Sequence, residues 1–263
     1  MLSSKIKTPI AVAILCASIV WTQSVRADLL YSTNFNAPTY ANGGLIGQDS
    51  WAITGASVVS PINVANAATN GNVALTTTGQ DVNRGFASTT SGSIFLSASI
   101  VVSAAQATGD YFLHLGDGGQ TNFYNRVFAR SSGAGFQMSL GTSSGATPNY
   151  GTTILNFNTE YNILARYDFV AGAANDTGAL FINPNDPMGI GDTPYVVATT
   201  QGTDSALISS VNLRQGGATS SPSLIIDNIA VNSIAAVPEP SSIGLLAIGA
   251  LAGLFAVRKS RKK

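Results

Sequence analysis

Cysteine is nearly missing from this chain: Cys16 is the single one, and it lies in an apolar run close to the N-terminus. Once that run is removed on export, the mature protein has no disulfide framework, no thiolate metal site and no cysteine nucleophile. Lysine is absent from Asp28 through Ala236, where twelve carboxylates face five arginines for a net charge of −7, although the whole chain balances at zero. Such a stretch repels phosphate backbones and offers anionic lipid no basic face, so nucleic acid is excluded as a partner. Histidine occurs once, at His114, and glutamate once in the same stretch, at Glu160. One histidine does not make a zinc site without cysteines or several carboxylates. A serine triad would have to use His114, whose expected role in the run Tyr111–Leu115 is that of a satisfied strand residue.

No helical period survives between residues 28 and 236; what is present is strand after strand. Tyr161 through Phe169 alternates, with Tyr161, Ile163, Ala165, Tyr167 and Phe169 on one face and Asn162, Arg166 and Asp168 on the other. That period of two marks a half-buried strand. Ser93 through Val102 behaves alike, setting Ile94, Leu96, Ala98, Ile100 and Val102 against Ser97 and Ser99. Ten further β-rich runs lie at 29–35, 51–59, 72–76, 111–115, 124–130, 135–140, 179–182, 195–199, 206–213 and 224–231. Turn residues separate them, among them Asn42-Gly43-Gly44, Asn70-Gly71 and Asn183-Pro184-Asn185-Asp186-Pro187. The pattern predicts an all-β fold: one two-sheet antiparallel, jelly-roll-like sandwich over residues 28–236, with helix confined to the two ends.

Each end carries its own signal. Lys5 and Lys7 precede an apolar stretch from Pro9 to Trp21, and Val25-Arg26-Ala27 has short side chains at the third and first positions before a cut. Residues 1–27 therefore read as a signal peptide for the Sec export machinery, cleaved after Ala27. At the other end Val237-Pro238-Glu239-Pro240 is followed by an uncharged apolar segment, Ile243 to Val257, and then by Arg258, Lys259, Arg261, Lys262 and Lys263. As a helix the segment spans about 22 Å against a hydrocarbon core of about 30 Å, a short anchor. The basic tail holds its end in the cytoplasm, leaving everything before Ile243 outside. Two prolines around Glu239 keep the peptide extended, in the form in which an enzyme reads it. In this order the three parts of residues 237–263 resemble the PEP-CTERM sorting signal. The resemblance implies a membrane exosortase as partner, transient anchoring through the helix, cleavage near the motif, and a destination at the cell surface or in the extracellular matrix.

Within the predicted sandwich, Leu45-Ile46-Gly47-Gln48-Asp49-Ser50-Trp51, Tyr161 through Phe169, Leu180 through Pro184 and Ile226-Asp227-Asn228-Ile229-Ala230-Val231 resemble concanavalin A-like, laminin-G-like sandwiches of exported bacterial proteins. That resemblance implies the fold and a glycan-binding habit. Glucanases of this fold resemble one another in a Glu-x-Asp-x-x-Glu strand, which a stretch with Glu160 alone does not supply. Trp51, Tyr124 and Tyr150 are candidates for stacking on sugar rings. No cofactor is expected; calcium is the cation whose oxygen ligands the loops offer, at Asn183, Asn185, Asp186 and Asp192. Asp227, inside an apolar strand, is expected to have its carboxylate satisfied by neighbouring donors or turned to solvent. The expected function is that of an exported, non-enzymatic surface or matrix protein with extracellular polysaccharide as candidate ligand. The alternative is a secreted glycan-active hydrolase of the same fold, which would bring two carboxylates together in one concave groove.

Overall fold

The two alternating runs form the middle of the molecule. In the computed structural model, which describes residues 27–55, 59–118, 120–199 and 202–235, β7 (Gly92–Ala104) and β12 (Glu160–Phe169) pair antiparallel from Phe169↔Gly92 to Glu160↔Val101. Against the other edge of β7 lies β16 (Ser223–Ile234), the last strand described. The remaining strands are β1 (Ala27–Thr33), β2 (Gly43–Gly44), β3 (Ala52–Thr54), β4 (Asn63–Ala65), β5 (Asn72–Leu75), β6 (Asp81–Thr89) and β8 (Asp110–Gly116). They continue with β9 (Phe123–Ser132), β10 (Gly135–Gly141), β11 (Asn149–Tyr150), β13 (Thr177–Ile182), β14 (Val196–Thr199) and β15 (Ile208–Leu213). A nine-stranded sheet runs β14-β13-β12-β7-β16-β5-β4-β2, with β1 also on β16, and a seven-stranded sheet runs β11-β10-β9-β8-β15-β6-β3. Every pairing is antiparallel, and no helix occurs among the described residues. The two-sheet sandwich is the one the alternation predicts.

The core fills the space between the sheets. Ile94, Leu96, Ile100 and Val102 of β7 and Ile163, Ala165 and Tyr167 of β12 meet Val127, Phe136, Met138 and Val211 from the smaller sheet. Among the described residues this core runs from Tyr31 to Val231. Leu164 and Phe95 break the alternation. Leu164 shares the polar face with Asn162 and Arg166, yet it is buried there beside Phe95, Ala179 and Phe181 in a second apolar cluster packed by Met188 and Ile234. The segment through Met188 covers that part of the outer face.

Four described strands go beyond the runs read from sequence: β2, β4, β6 and β11. Of these β6 matters most, because it lies between β15 and β3. Its sequence Asp81-Val82-Asn83-Arg84-Gly85-Phe86-Ala87-Ser88-Thr89 buries only Val82 fully, so it lacks the apolar period by which a strand is recognised. The first and last strands are neighbours: Ala27 pairs with Ile234 and Thr33 with Ile229. In β16 a bulge between Asp227 and Ala230, with Asn228 at φ +50°, divides the strand between β5 on its N-terminal half and β1 on its C-terminal half. Asparagine tolerates that left-handed conformation better than most residues do. Residues 1–26 of the expected signal peptide 1–27, the sorting motif, the transmembrane helix 243–257 and the basic tail lie outside the described residues.

Candidate functional site

The outer face of the larger sheet carries a transverse polar row. Because paired residues share a face, Asp227↔Ser99 and Ser99↔Asn162 set β16, β7 and β12 side by side with their polar residues aligned. Ser99 Oγ donates to Asn162 Oδ1 at 2.9 Å, and Asn228 Nδ2 reaches Ser99 Oγ at 3.5 Å. Asn183 Oδ1 accepts from the Asn162 backbone N–H at 2.9 Å, extending the row past β13. Three concavities meet at Asn228. One, of about 410 Å³, lies between Asn70, Asn72, Ser99, Glu160 and Asp227. A second, of about 320 Å³, lies between Ser97, Asn162, Pro184, Asn185 and Pro187. The third is bounded by Ser32, Asn34 and Ala230. The bulge turns Asn228 outward into all three, where its side chain is exposed.

Asp227 accepts from the Asn228 backbone N–H at 2.6 Å and from its Nδ2 at 3.3 Å, so the neighbouring donors expected of an acid in an apolar strand are present. Burial raises its carboxyl above the ordinary range, the Asn228 N–H opposes this, and Glu160 adds to the rise. Glu160 and Asp227 line one concavity. Since Glu160 pairs with Val101 and Asp227 with Ser99, β7 separates them: about 10 Å across the sheet and about 7 Å along it between backbones.

The aromatic candidates are placed otherwise. Trp51 is 1% exposed, with its indole Nε1 donating to the Tyr40 hydroxyl at 3.1 Å and Tyr31 and Phe35 packed around it. Tyr124 is 7% exposed and packs edge-on to Tyr167. Neither can stack on a sugar, a correction to the sequence reading: both turn inward, where burial of a large ring stabilises most. Tyr150, on the short edge strand β11, is half-buried, and the Arg130 guanidinium lies 4.1 Å from its ring centre. Burial pushes its phenol up to about 12.

The calcium candidates share one loop, and its oxygens serve the loop itself. Asp192 accepts from Asn185 Nδ2 and from the Asp186 N–H, both at 2.9 Å, while Asp186 accepts from the backbone N–H groups of Met188 and Ile190. The N–H of Asp186 holds the exposed Asp192 carboxyl below its usual range. Among the described residues no three or more His, Cys, Asp or Glu side chains are grouped to hold a metal ion. Gly141-Thr142-Ser143-Ser144-Gly145 has the Gly-x-Ser-x-Gly spacing, but it leaves β10 for a turn rather than a helix. His114 is buried, its Nδ1 3.0 Å from the Leu115 carbonyl oxygen. The geometry thus marks Ser99, Asn162, Asn183 and Asn228, residues of small side chain whose alternation placed two of them outward but whose convergence no sequence spacing shows.

The stretch beyond Ala235 decides where the chain goes. Residues 236–262 match the PEP-CTERM protein-sorting motif. The PEP-CTERM motif implies an exported chain, held in a membrane until an exosortase processes it. No curated protein is similar in sequence. Among solved structures, the CBM2 module of the evolved Dit of Lactobacillus casei BL23 phage J-1 is similar at TM-score 0.50 and 10% identity, over 82% of this chain and 99% of that one. Domain 4 of AbnA, a GH43 extracellular arabinanase from Geobacillus stearothermophilus, is similar at TM-score 0.49 and 12% identity, over 81% and 95%. A β-1,3-glucanase from Mycobacterium marinum is similar at TM-score 0.48 and 9% identity, over 78% and 98%. At such identities the likeness is one of fold.

Proposed function

We propose that this PEP-CTERM chain is a non-enzymatic cell-surface or extracellular-matrix protein that holds a neutral polysaccharide along the Ser/Asn row of its larger sheet. The observation that carries the reading is the meeting of three concavities at Asn228. Amides and hydroxyls both donate and accept, as sugar hydroxyls do, and a row that carries carboxylates but no cation, in a domain of net charge −7, suits an uncharged chain rather than an acidic one. The fold shared with a module named for carbohydrate binding supports the same reading.

On a glycan array the ectodomain is expected to retain neutral glycans. Asn228→Gly keeps the left-handed backbone while deleting the amide, and together with Asn162→Ala it should weaken binding roughly tenfold, since each lost hydrogen bond is worth about 0.5–1.5 kcal/mol. An array that stays blank with and without calcium would remove the glycan-binding reading and leave a structural matrix protein.

A hydrolase remains the second reading because Glu160 and Asp227 face one concavity. It predicts new reducing ends from a bound glycan and their loss in Glu160→Gln; absence of reducing ends from every retained glycan sinks it.

Sorting has its own test. Replacing Pro238, Glu239 and Pro240 by alanine changes none of the apolar or basic residues that insert and orient the segment. The parent should lose its C-terminus and leave the membrane fraction, whereas the variant should stay there at full length. Equal release of both would mean that the motif is not read.

A further inference from the structure

We propose a second site, on the outer face of the seven-stranded sheet, that takes the carboxylate of an acidic sugar within a polysaccharide. The proposal rests on the polysaccharide-binding reading but uses a different surface and a different ligand charge. Three of the five ectodomain arginines, Arg126, Arg130 and Arg214, are gathered there. Their neighbours Val127, Ala129 and Leu213 point into the core, which turns the three guanidiniums outward. They alternate with rings: the Arg126 guanidinium lies 5.1 Å from the Tyr111 ring centre and 5.0 Å from that of Phe128. Arg214 lies 4.1 Å from the same Tyr111 ring, and Arg130 lies 4.1 Å from Tyr150.

These arginines differ in what neutralises them. Arg214 has Asp110 at 2.8 Å and Asp81 at 3.9 Å. Arg126 and Arg130 have no carboxylate within ion-pair distance among the described residues. Arg130 is held by Gln137 Oε1 at 3.1 and 3.3 Å, a neutral acceptor. Arg126 is 7% exposed; its Nη2 donates to the carbonyls of Ser143 and Ala146, and its Nε has no partner. Burial lowers its pKa, and the nearby Arg214 adds to that. A guanidinium taken out of water without a counterion is costly, and twelve carboxylates were available in this ectodomain to relieve it. The Tyr150 hydroxyl beside Arg130 is likewise buried without a partner. A planar carboxylate supplies the counterion that the half-exposed Arg130 lacks, while the half-buried Tyr111 and Tyr150 leave part of their rings to the apolar side of a sugar.

Ser220 and Ser221 donate to Asp110 Oδ2, which ties the Arg214 and Tyr111 end of the smaller sheet to the start of β16. The other end of β16, where Ile234 pairs with Ala27, lies away from this cluster.

The experiment measures binding of polygalacturonate to the exported ectodomain by titration calorimetry at about 0.15 M salt, where the Debye length of about 8 Å screens the domain's overall negative charge. Methyl-esterified polygalacturonate, sulfated dextran and neutral dextran serve as comparisons. The expected result is binding to polygalacturonate at least tenfold tighter than to its methyl ester or to sulfated dextran. Arg130→Gln, whose side chain is half-exposed, should weaken it about tenfold at an unchanged Tm; Arg126→Gln should weaken it further, read beside its own Tm. Asn228→Gly should leave it unaltered, which separates this site from the groove on the larger sheet. Equal binding of acid and ester, equal binding of sulfate, no binding at all, or an Arg130→Gln variant that binds like the parent would each overturn the proposal, and none of them touches retention of neutral glycans at Asn228.

Discussion

Trp51→Ala is expected to destabilise the ectodomain by about 3–5 kcal/mol, the range for deleting a large buried aromatic side chain. The indole is 1% exposed and closes a buried cluster of Tyr31, Phe35 and Tyr40. Its loss also removes the Nε1 donor to the Tyr40 hydroxyl, which with the Tyr31 hydroxyl donates to Asp49 Oδ2 at 2.9 and 3.0 Å. Asp49 in turn faces Arg84 at 3.4 Å. Denaturant unfolding of the ectodomain at neutral pH should show the midpoint falling with the slope unchanged. A loss below about 1 kcal/mol would mean that the indole is not part of the core, and would return Trp51 to the list of residues free to stack on sugars.

The second large effect is a loss of stability in acid traced to His114. Burial pushes the imidazole down to about 3 from its ordinary 6.5, with Arg214 and Arg126 adding to the fall and the Leu115 carbonyl opposing it. The folded protein keeps the ring neutral; the unfolded chain protonates it once the pH drops below about 6.5. The stabilisation is therefore complete above about pH 6.5 and is lost progressively as the pH falls toward 3, at up to about 1.4 kcal/mol per pH unit. Between pH 7 and pH 5 the loss is about 2 kcal/mol. His114→Phe, packed against Tyr111 and Phe123, which already lie 5.4 and 4.6 Å from the imidazole, should flatten this part of the stability profile. If parent and variant lose stability in parallel from pH 7 to pH 5, another group is responsible.

How far the chain could be read depended on the distance over which each feature is encoded. Alternation within ten residues set the inner faces of β7 and β12, and Ile94, Leu96, Ile100, Ile163 and Tyr167 are in the core as that period requires. The same period leaves Leu164 among the polar residues Asn162 and Arg166, where packing from the segment through Met188 buries it. It passed over β6, whose polar residues are held by β15 and β3 rather than by a period of their own. Of three aromatic residues that sequence alone could not tell apart, Trp51 and Tyr124 went inward and Tyr150 to an edge strand beneath Arg130. Nor did the composition betray Arg126: one of five arginines in an acidic stretch looks neutralised until the neighbours are known.

By itself the sequence determined the class of fold and that the chain is exported and sorted, because a period of two and a contiguous C-terminal motif are both written in adjacent residues. Only the tertiary structure decided which residues form a site. Ser99 meets Asn162 from 63 positions away and Asn228 from 129, and Arg214 meets Tyr111 from 103. Those meetings follow from strand order and register, which arise when the two sheets close over their common core and carry the outward side chains along with them.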